Sequence, residues 1–311
     1  MTPANTSRTA ALLDARLTAA ALPWGALADE IATLLHDPAV QVPARLVQPL
    51  PGGGSLFVMP ALDARVAISK LITFTPGNAG TGRATIQGDV VVFDVATGER
   101  RLILHGPTVT ARRTAAVSLL AAQRLAPNLT GPLLVVGAGV QGLAHLEAFA
   151  DGLGVREVWV SSRSEASAAR LVQHAQALGL RSQVVSDPNA ALAHCPLTVT
   201  CTPASAVVLT ATPRDDAFVC AVGAFTPNMV ELGPRLCRHM AEVGTVVVDT
   251  PDAQHEAGDL LQAGLAVAGF ASLADVVNQK GPAVQGPVLF KSCGWAGWDL
   301  AAARLALSQE P

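Results

Sequence analysis

Two sets of residues in this sequence have the types and spacing to do chemistry. The first is Gly137-Ala138-Gly139-Val140-Gln141-Gly142, a G-x-G-x-x-G pattern. It follows an apolar run of strand character at 133–136. It precedes a helical segment with Leu143, Leu146, Phe149 and Ala150 on one face. In that context Gly137 permits a tight turn, Gly139 lets a pyrophosphate approach the backbone, and Gly142 lets helix and strand pack closely. The free N–H groups at the helix start then face the phosphates. The next strand reads 157–160 and ends in Ser161-Ser162-Arg163-Ser164. NAD sites usually carry Asp or Glu about 20 residues past the glycines, to bind the ribose 2′-hydroxyl. Here no carboxylate repels a 2′-phosphate, Arg163 can pair with one, and Ser162 and Ser164 can donate hydrogen bonds. This favours NADP(H), with NAD(H) possible. A solvated loop arginine is the plain alternative.

The second set is cationic. Lysine is rare: Lys70, Lys280 and Lys291 stand among 21 Lys plus Arg residues. Lys70 lies between Ile68 and Ile72 in a strand segment, where a solvated charge would ordinarily alternate outward. It is either a plain exposed strand lysine or a retained amine with a task. Arg45 sits in another apolar strand segment, and Arg112 and Arg113 open a helix. Salt bridging or capping would explain them. Near a nicotinamide, two guanidinium groups and one ammonium would suit a substrate carboxylate.

Other chemistries find no support. The seven histidines show no H-x-x-x-H or H-E-x-x-H spacing, so no metal site is expected. No G-x-S-x-G elbow occurs. Cys201 and Cys220 read as core strand residues, and Asp299 reads as structural. Half the residues are apolar and 14% are charged, which argues for large cores and against disorder. A net charge of −3 shows no nucleic-acid surface. Five cysteines without a C-x-x-C pair fit reduced thiols. Asp14 and Arg16 spoil a signal peptide, and Gly and Pro break every candidate membrane span. A cytoplasmic protein is expected, with no membrane and no nucleic-acid partner.

These residues need a scaffold. With 311 residues, two domains are expected. Residues 9–35 read as two helices divided at Pro23. Strand segments follow at 44–47, 55–59, 67–72 and 89–94, with turns at Gly52-Gly53-Gly54 and Thr97-Gly98, so this part is mainly antiparallel. A helix at 110–126 leads into alternating strands and helices. The strands there are 197–200, 218–222, 245–249 and, more weakly, 265–268, and a helix is read at 167–178. The fold class is α/β: a Rossmann-type doubly wound parallel sheet plus an α+β N-terminal domain. A last helix at 295–307 is expected to pack back on the N-terminal domain. One domain is then 1–115 plus 296–311, and the dinucleotide domain is 116–295.

With these residues laid out, the chain resembles the ornithine cyclodeaminase/mu-crystallin family over nearly its whole length. The resemblance is carried by Met59-Pro60, Lys70 with Pro76 and Asn78, Thr97-Gly98, and Thr110-Ala-Arg-Arg-Thr-Ala-Ala-Val-Ser118. It continues through Gly137-Ala-Gly-Val-Gln-Gly142, Ala221-Val-Gly-Ala224 with Pro227, Glu231-Leu232 and Gly258-Asp-Leu260. Phe290-Lys-Ser-Cys-Gly-Trp-Ala296 with Asp299 completes it. The resemblance implies a homodimer whose N-terminal strands form a substrate and dimerisation domain, with the active site between that domain and the dinucleotide domain. It implies that Arg45, Lys70 and Arg113 surround a substrate carboxylate. It places Thr85, Arg113, Thr200, Thr202, Val222 and Ser292 along the cofactor. Ornithine cyclodeaminases carry a catalytic Asp where this chain has Phe225, and a Glu that holds the ornithine amine where it has Phe57. Both carboxylates are missing. The Ala-Val-Gly-Ala-x-x-Pro and Arg-Thr-Ala-Ala-Val-Ser segments look closer to the mu-crystallin branch, which implies NADPH-dependent reduction of cyclic ketimines such as Δ1-pyrroline-2-carboxylate or Δ1-piperideine-2-carboxylate. An alanine dehydrogenase, an ornithine cyclodeaminase and a non-catalytic NADPH-binding protein are the rival expectations.

Overall fold

The structure, a computed structural model, describes residues 10–78 and 81–309. The chain divides into two compact units, Met1–Arg113 with Trp295–Pro311, and Thr114–Gly294. The limits at residues 1 and 311, and the start of the expected first helix at residue 9, lie outside the described residues.

The first unit begins differently from the sequence reading. Ala11–Leu13 is a strand (β1), paired parallel with Leu102–Leu104. Asp14 then starts helix α1 (Ala15–Ala20) by accepting from the Leu17 backbone N–H. Pro23 starts α2 (Trp24–Leu35), so the break at Pro23 holds. Strands β2 (Leu46–Leu50), β3 (Gly54–Leu62), β4 (Val66–Phe74) and β5 (Ile86–Asp94) are antiparallel neighbours. The pattern misses β6 (Arg100–His105), whose two leading arginines hide an apolar alternation through Leu102 and Leu104. Arg45 is not in a strand: it stands one residue before β2. The following helix, α3 (Gly106–Leu125), starts earlier than expected, so Arg112 and Arg113 sit in its second turn.

Parity decides what each face of this sheet meets. Lys70 shares a face with Ile68 and Ile72, two positions away on either side, and opposes Met59 and Val90. That face also carries Ala61, Val66 and Val92, and it is covered. Alternation therefore turns Lys70 inward, and it is 1% exposed, so of the two alternatives the plain exposed strand lysine falls away.

The second unit is an eight-stranded parallel sheet. In chain order its elements are β7 (Leu133–Val136), α4 (Val140–Gly152), β8 (Glu157–Ser161), α5 (Glu165–Ala177), β9 (Arg181–Val184) and α6 (Pro188–Leu192). Next come β10 (Leu197–Thr200), β11 (Ser205–Leu209), β12 (Phe218–Ala221), β13 (Val230–Leu232), α7 (Pro234–Val243) and β14 (Thr245–Val248). The short helices α8 (Ala253–Glu256) and α9 (Gly258–Gln262), then β15 (Ala271–Ser272), α10 (Leu273–Val277) and β16 (Val288–Lys291) complete it. The sheet order is β15-β14-β16-β12-β10-β7-β8-β9. The winding reverses between β7 and β10, the switch point at which such sheets bind ligands. The doubly wound reading holds, with one correction. Residues 265–268 form no strand: Val267 is buried at a 3-10 turn, and Ala271–Ser272 pairs with β14 instead. Central strand β16 and outer strand β9 are unmarked by any strong pattern in the sequence. Cys220 lies in β12, whereas Cys201 falls just past the end of β10.

The last helix, α11 (Ala296–Ser308), returns to the first unit and packs on β3, β4 and α2. Every residue from Ala296 to Ala306 is buried. A helix apolar all round belongs in a core, and its two charged residues, Asp299 and Arg304, must then find partners. Arg304 donates to Asp63 and Asp37, and Glu30 lies 3.7 Å away. We expect Arg304→Met to lower the unfolding free energy by roughly 3 kcal/mol, because it strands the buried Asp63 carboxylate. Chemical denaturation measures this, and a change below about 0.5 kcal/mol would show a surface-like pair.

Candidate active site

In the second unit the glycine loop joins β7 to α4 as the sequence pattern requires. Gly137 has φ +113°, and a Cβ there would meet the Cys201 carbonyl oxygen at 2.6 Å. A Cβ on Gly142 would collide with the Gly137 carbonyl oxygen. Around Gly139 there is open space, and Gly139 caps α4 without a side chain. The first-turn N–H groups of α4 are therefore left to an external acceptor. This cradle fits a dinucleotide pyrophosphate, with Ala138, Val140 and Gln141 supplying backbone.

Past β8, Arg163 and Ser164 are exposed and Ser162 is partly exposed. Ser162 Oγ accepts from the Ser164 backbone N–H at 3.3 Å, and Ser164 Oγ accepts from the Ser167 N–H at 3.2 Å, capping α5. Both hydroxyls keep a proton to donate, and no carboxylate stands among these three residues.

The other predicted cofactor residues of this unit meet a network missed by the sequence reading. Glu231 is fully buried. Its carboxylate accepts from Thr200 Oγ1 (2.9 Å), Thr202 N (2.6 Å), Thr202 Oγ1 (2.8 Å) and Gly223 N (2.7 Å). It ties together the carboxyl ends of β10 and β12, with Val222 donating to the Thr200 carbonyl. Burial raises the Glu231 pKa despite the nearby Lys291 charge. Lys291 pairs with Asp259 at 2.9 Å, and Asp259 accepts from the Glu231 and Leu232 backbone N–H groups. Burial opposes the Lys291 charge, but Asp259, Cys293 and Glu231 outweigh it and raise its pKa. Ser292 Oγ donates to Asp249, which also takes the Cys293 and Gly294 N–H groups. The signal was there in principle: Glu231, Asp259 and Lys291 are charges set in apolar runs.

The first unit holds the cationic set. Lys70 Nζ donates to Asp299 Oδ2 at 2.6 Å, with both side chains buried. Arg113 Nε lies 3.4 Å from Asp299 Oδ1, too poorly aligned for a hydrogen bond, so both atoms are buried without one. Asp299 is thus the centre of the cluster. Arg45 acts on Lys70 through its charge. Burial lowers the Lys70 pKa to about 8; Asp299 opposes this, and Arg113 and Arg45 add to it. Arg112 turns elsewhere, donating to the Leu22 carbonyl and stacking on Trp24. Thr85 stands before β5, and its carbonyl accepts from Thr75 N. Phe57 faces the same side of the sheet as Lys70, and Phe225 is 43% exposed in the second unit. Among the described residues, no three His, Cys, Asp or Glu side chains could hold a metal ion.

A switch-point glycine cradle on a doubly wound sheet defines a dinucleotide-binding protein. The family model of the ornithine cyclodeaminase/mu-crystallin family matches residues 24–309, and the chain belongs to that family. It is 40% identical to a Delta(1)-pyrroline-2-carboxylate reductase of Burkholderia multivorans, over 95% of this chain and 94% of that one. It is 33% identical to the ketimine reductase mu-crystallin of Mus musculus, over 86% and 85%. Its fold matches the Thermococcus litoralis Delta(1)-pyrroline-2-carboxylate reductase, solved with NADH and L-proline, at TM-score 0.82 and 22% identity. That match covers 95% and 93% of the two chains.

Proposed function

We propose that this protein is an NADPH-dependent reductase of cyclic ketimines of the Δ1-pyrroline-2-carboxylate or Δ1-piperideine-2-carboxylate type. The observation that carries the reading is the buried Lys70–Asp299–Arg113 cluster, where two cations share one carboxylate and a third, Arg45, adds its charge. Such a site favours one more carboxylate, and burial strengthens the attraction. The reductases to which the chain is similar support the same substrate class. Phe57 supports it as well: it gives the Lys70 face an apolar side chain where ornithine cyclodeaminases carry an amine-binding Glu, and a cyclic imine has no free amine to hold.

In this reading the pyrophosphate sits on the Gly137–Gly142 loop, and Thr85, Arg113, Thr200, Thr202, Val222 and Ser292 lie along the cofactor. A bound reduced nicotinamide supplies hydride to the imine carbon. Arg45, Arg113 and Lys70 hold the adjacent carboxylate and so fix the carbon's position. Lys70 has three N–H donors. One is held by Asp299, which leaves others for the carboxylate and for the ring nitrogen. With a pKa of about 8, Lys70 Nζ can release its proton to that nitrogen near neutrality. The cysteines, all unpaired, suit a reducing compartment such as the cytoplasm.

Purified protein assayed with NADPH against five- and six-membered cyclic ketimines should turn them over without ammonia. Turnover only with pyruvate and ammonia would make it an alanine dehydrogenase, and NADPH binding without any turnover would make it a binding protein. Lys70→Met should keep NADPH affinity and lower kcat/KM at least about 100-fold, or about 2.7 kcal/mol. Lys70→Arg should rescue only part, because a guanidinium is broader and does not titrate there. Near-wild-type turnover by Lys70→Met would remove it from the mechanism.

The preference for NADPH rests on Ser162, Arg163 and Ser164. Arg163→Ala should weaken NADPH binding by about 1–3 kcal/mol and leave NADH nearly unchanged. Equal losses for both cofactors in calorimetry would refute the 2′-phosphate role.

A homodimer is the remaining element. Leu46, Val58 and Leu71 form one cross-strand row on the outer face of the first unit's sheet, with Leu46 56% and Leu71 42% exposed. Apolar surface of this kind is a liability in a monomer. Sedimentation should show a dimer at micromolar concentration, and Leu71→Glu should shift it toward monomer. A wild-type monomer would end this part of the reading.

A further inference from the structure

We propose that Asp299 is a positioning residue of the reaction: it aims the Lys70 ammonium and keeps it protonated inside the first unit. The inference rests on the role given to Lys70 above. Its basis is geometric. Lys70 is 1% exposed and its side chain opposes only Met59 and Val90 across the sheet, so neither neighbouring strand offers a counter-charge at that register. The leading charged influences on it are Asp299 from α11, Arg113 from α3 and Arg45 from the segment before β2, and of these only Asp299 is an anion. A buried ammonium facing two guanidinium groups would otherwise shed its proton, because burial and like charge both favour the neutral amine. The 2.6 Å contact to Oδ2 opposes both.

The aim of that carboxylate is set from both ends of α11. Asp299 lies in the first turn, where the helix dipole favours negative charge. Trp295 and Trp298 lock that turn edge to face, with ring centroids 4.8 Å apart, and a Cβ on Gly297 would collide with Trp295. Arg304 ties the far end to Asp63 and Asp37. Asp299 Oδ1 has no hydrogen-bond partner while Arg113 Nε lies 3.4 Å off. Asp299 therefore spends its one aligned bond on Lys70, and its second oxygen leaves the Arg113 guanidinium available to a substrate carboxylate.

The chain's three lysines make the test direct. Protein labelled with [ε-13C]lysine should give three resonances, assigned through Lys70→Arg and Lys280→Arg, and the Lys70 signal can be titrated without substrate. In Asp299→Asn the Lys70 pKa should fall by at least about one unit. The alkaline limb of kcat/KM for a cyclic ketimine should move down with it. The loss should be about threefold or more at pH 7.5 and mostly recovered at pH 6, with NADPH affinity kept. An unchanged Lys70 pKa, or a loss equal at every pH, would overturn the proposal and leave Asp299 structural. Asp299→Glu keeps the charge but displaces it, so it should hold the pKa near wild type and lower kcat. If Asp299→Asn does not fold, this variant decides, and a wild-type kcat in it overturns the positioning role. Failure of the wild type to reduce any ketimine would count against the functional reading, whereas the titration tests Asp299 by itself.

Discussion

An ammonium buried in a sheet core needs a counter-charge, and much of the first unit follows from meeting that need. Lys70 is turned away from solvent on its strand, so an anion must come to it. The anion is on α11, 229 residues further along the chain. For α11 to deliver Asp299, it must lie against β3 and β4, which requires a helix apolar nearly all round. Its other charge, Arg304, then needs its own buried acceptors. Two ion pairs so placed cost desolvation and give little net stability. What they fix is the position of a helix and the charge of a lysine.

The second unit uses buried charge in the same way. Glu231 takes four hydrogen bonds from the ends of β10 and β12 and the loops beyond them, and Asp259 receives the backbone of β13 and the Lys291 ammonium. Loops at the carboxyl end of a parallel sheet have no ladder to hold them. A carboxylate accepting several N–H and O–H groups replaces it, and holds rigid the residues at the switch point, where a doubly wound sheet binds its ligand.

The glycine cradle was legible in the sequence because its causes are local. A turn at positive φ and a close helix-to-strand approach each demand glycine within six consecutive residues, and the flanking apolar runs supply strand and helix. The antiparallel meander was legible for the same reason, through alternation and turn residues. Strand β6 was hidden by its arginines, and residues 265–268 imitated a strand because a short apolar run does not reveal whether a sheet edge awaits it.

The sequence by itself determined the dinucleotide unit and the missing acid beyond β8, since each depends on residue type at short spacing; it offered Arg45, Lys70, Arg112 and Arg113 as cations, and the family resemblance singled out Arg45, Lys70 and Arg113. Even the inward turn of Lys70 was present in its parity with Ile68 and Ile72. Which carboxylate meets Lys70 was decided only by tertiary structure. Asp299 looked structural because its partner lies far along the chain, and only the packing of α11 on the sheet brings the two together. The same holds for Glu231, whose partners come from two separate segments. A buried charge is visible in a sequence as an exception to an apolar pattern, but its partner is set by which elements pack, and no local spacing encodes that.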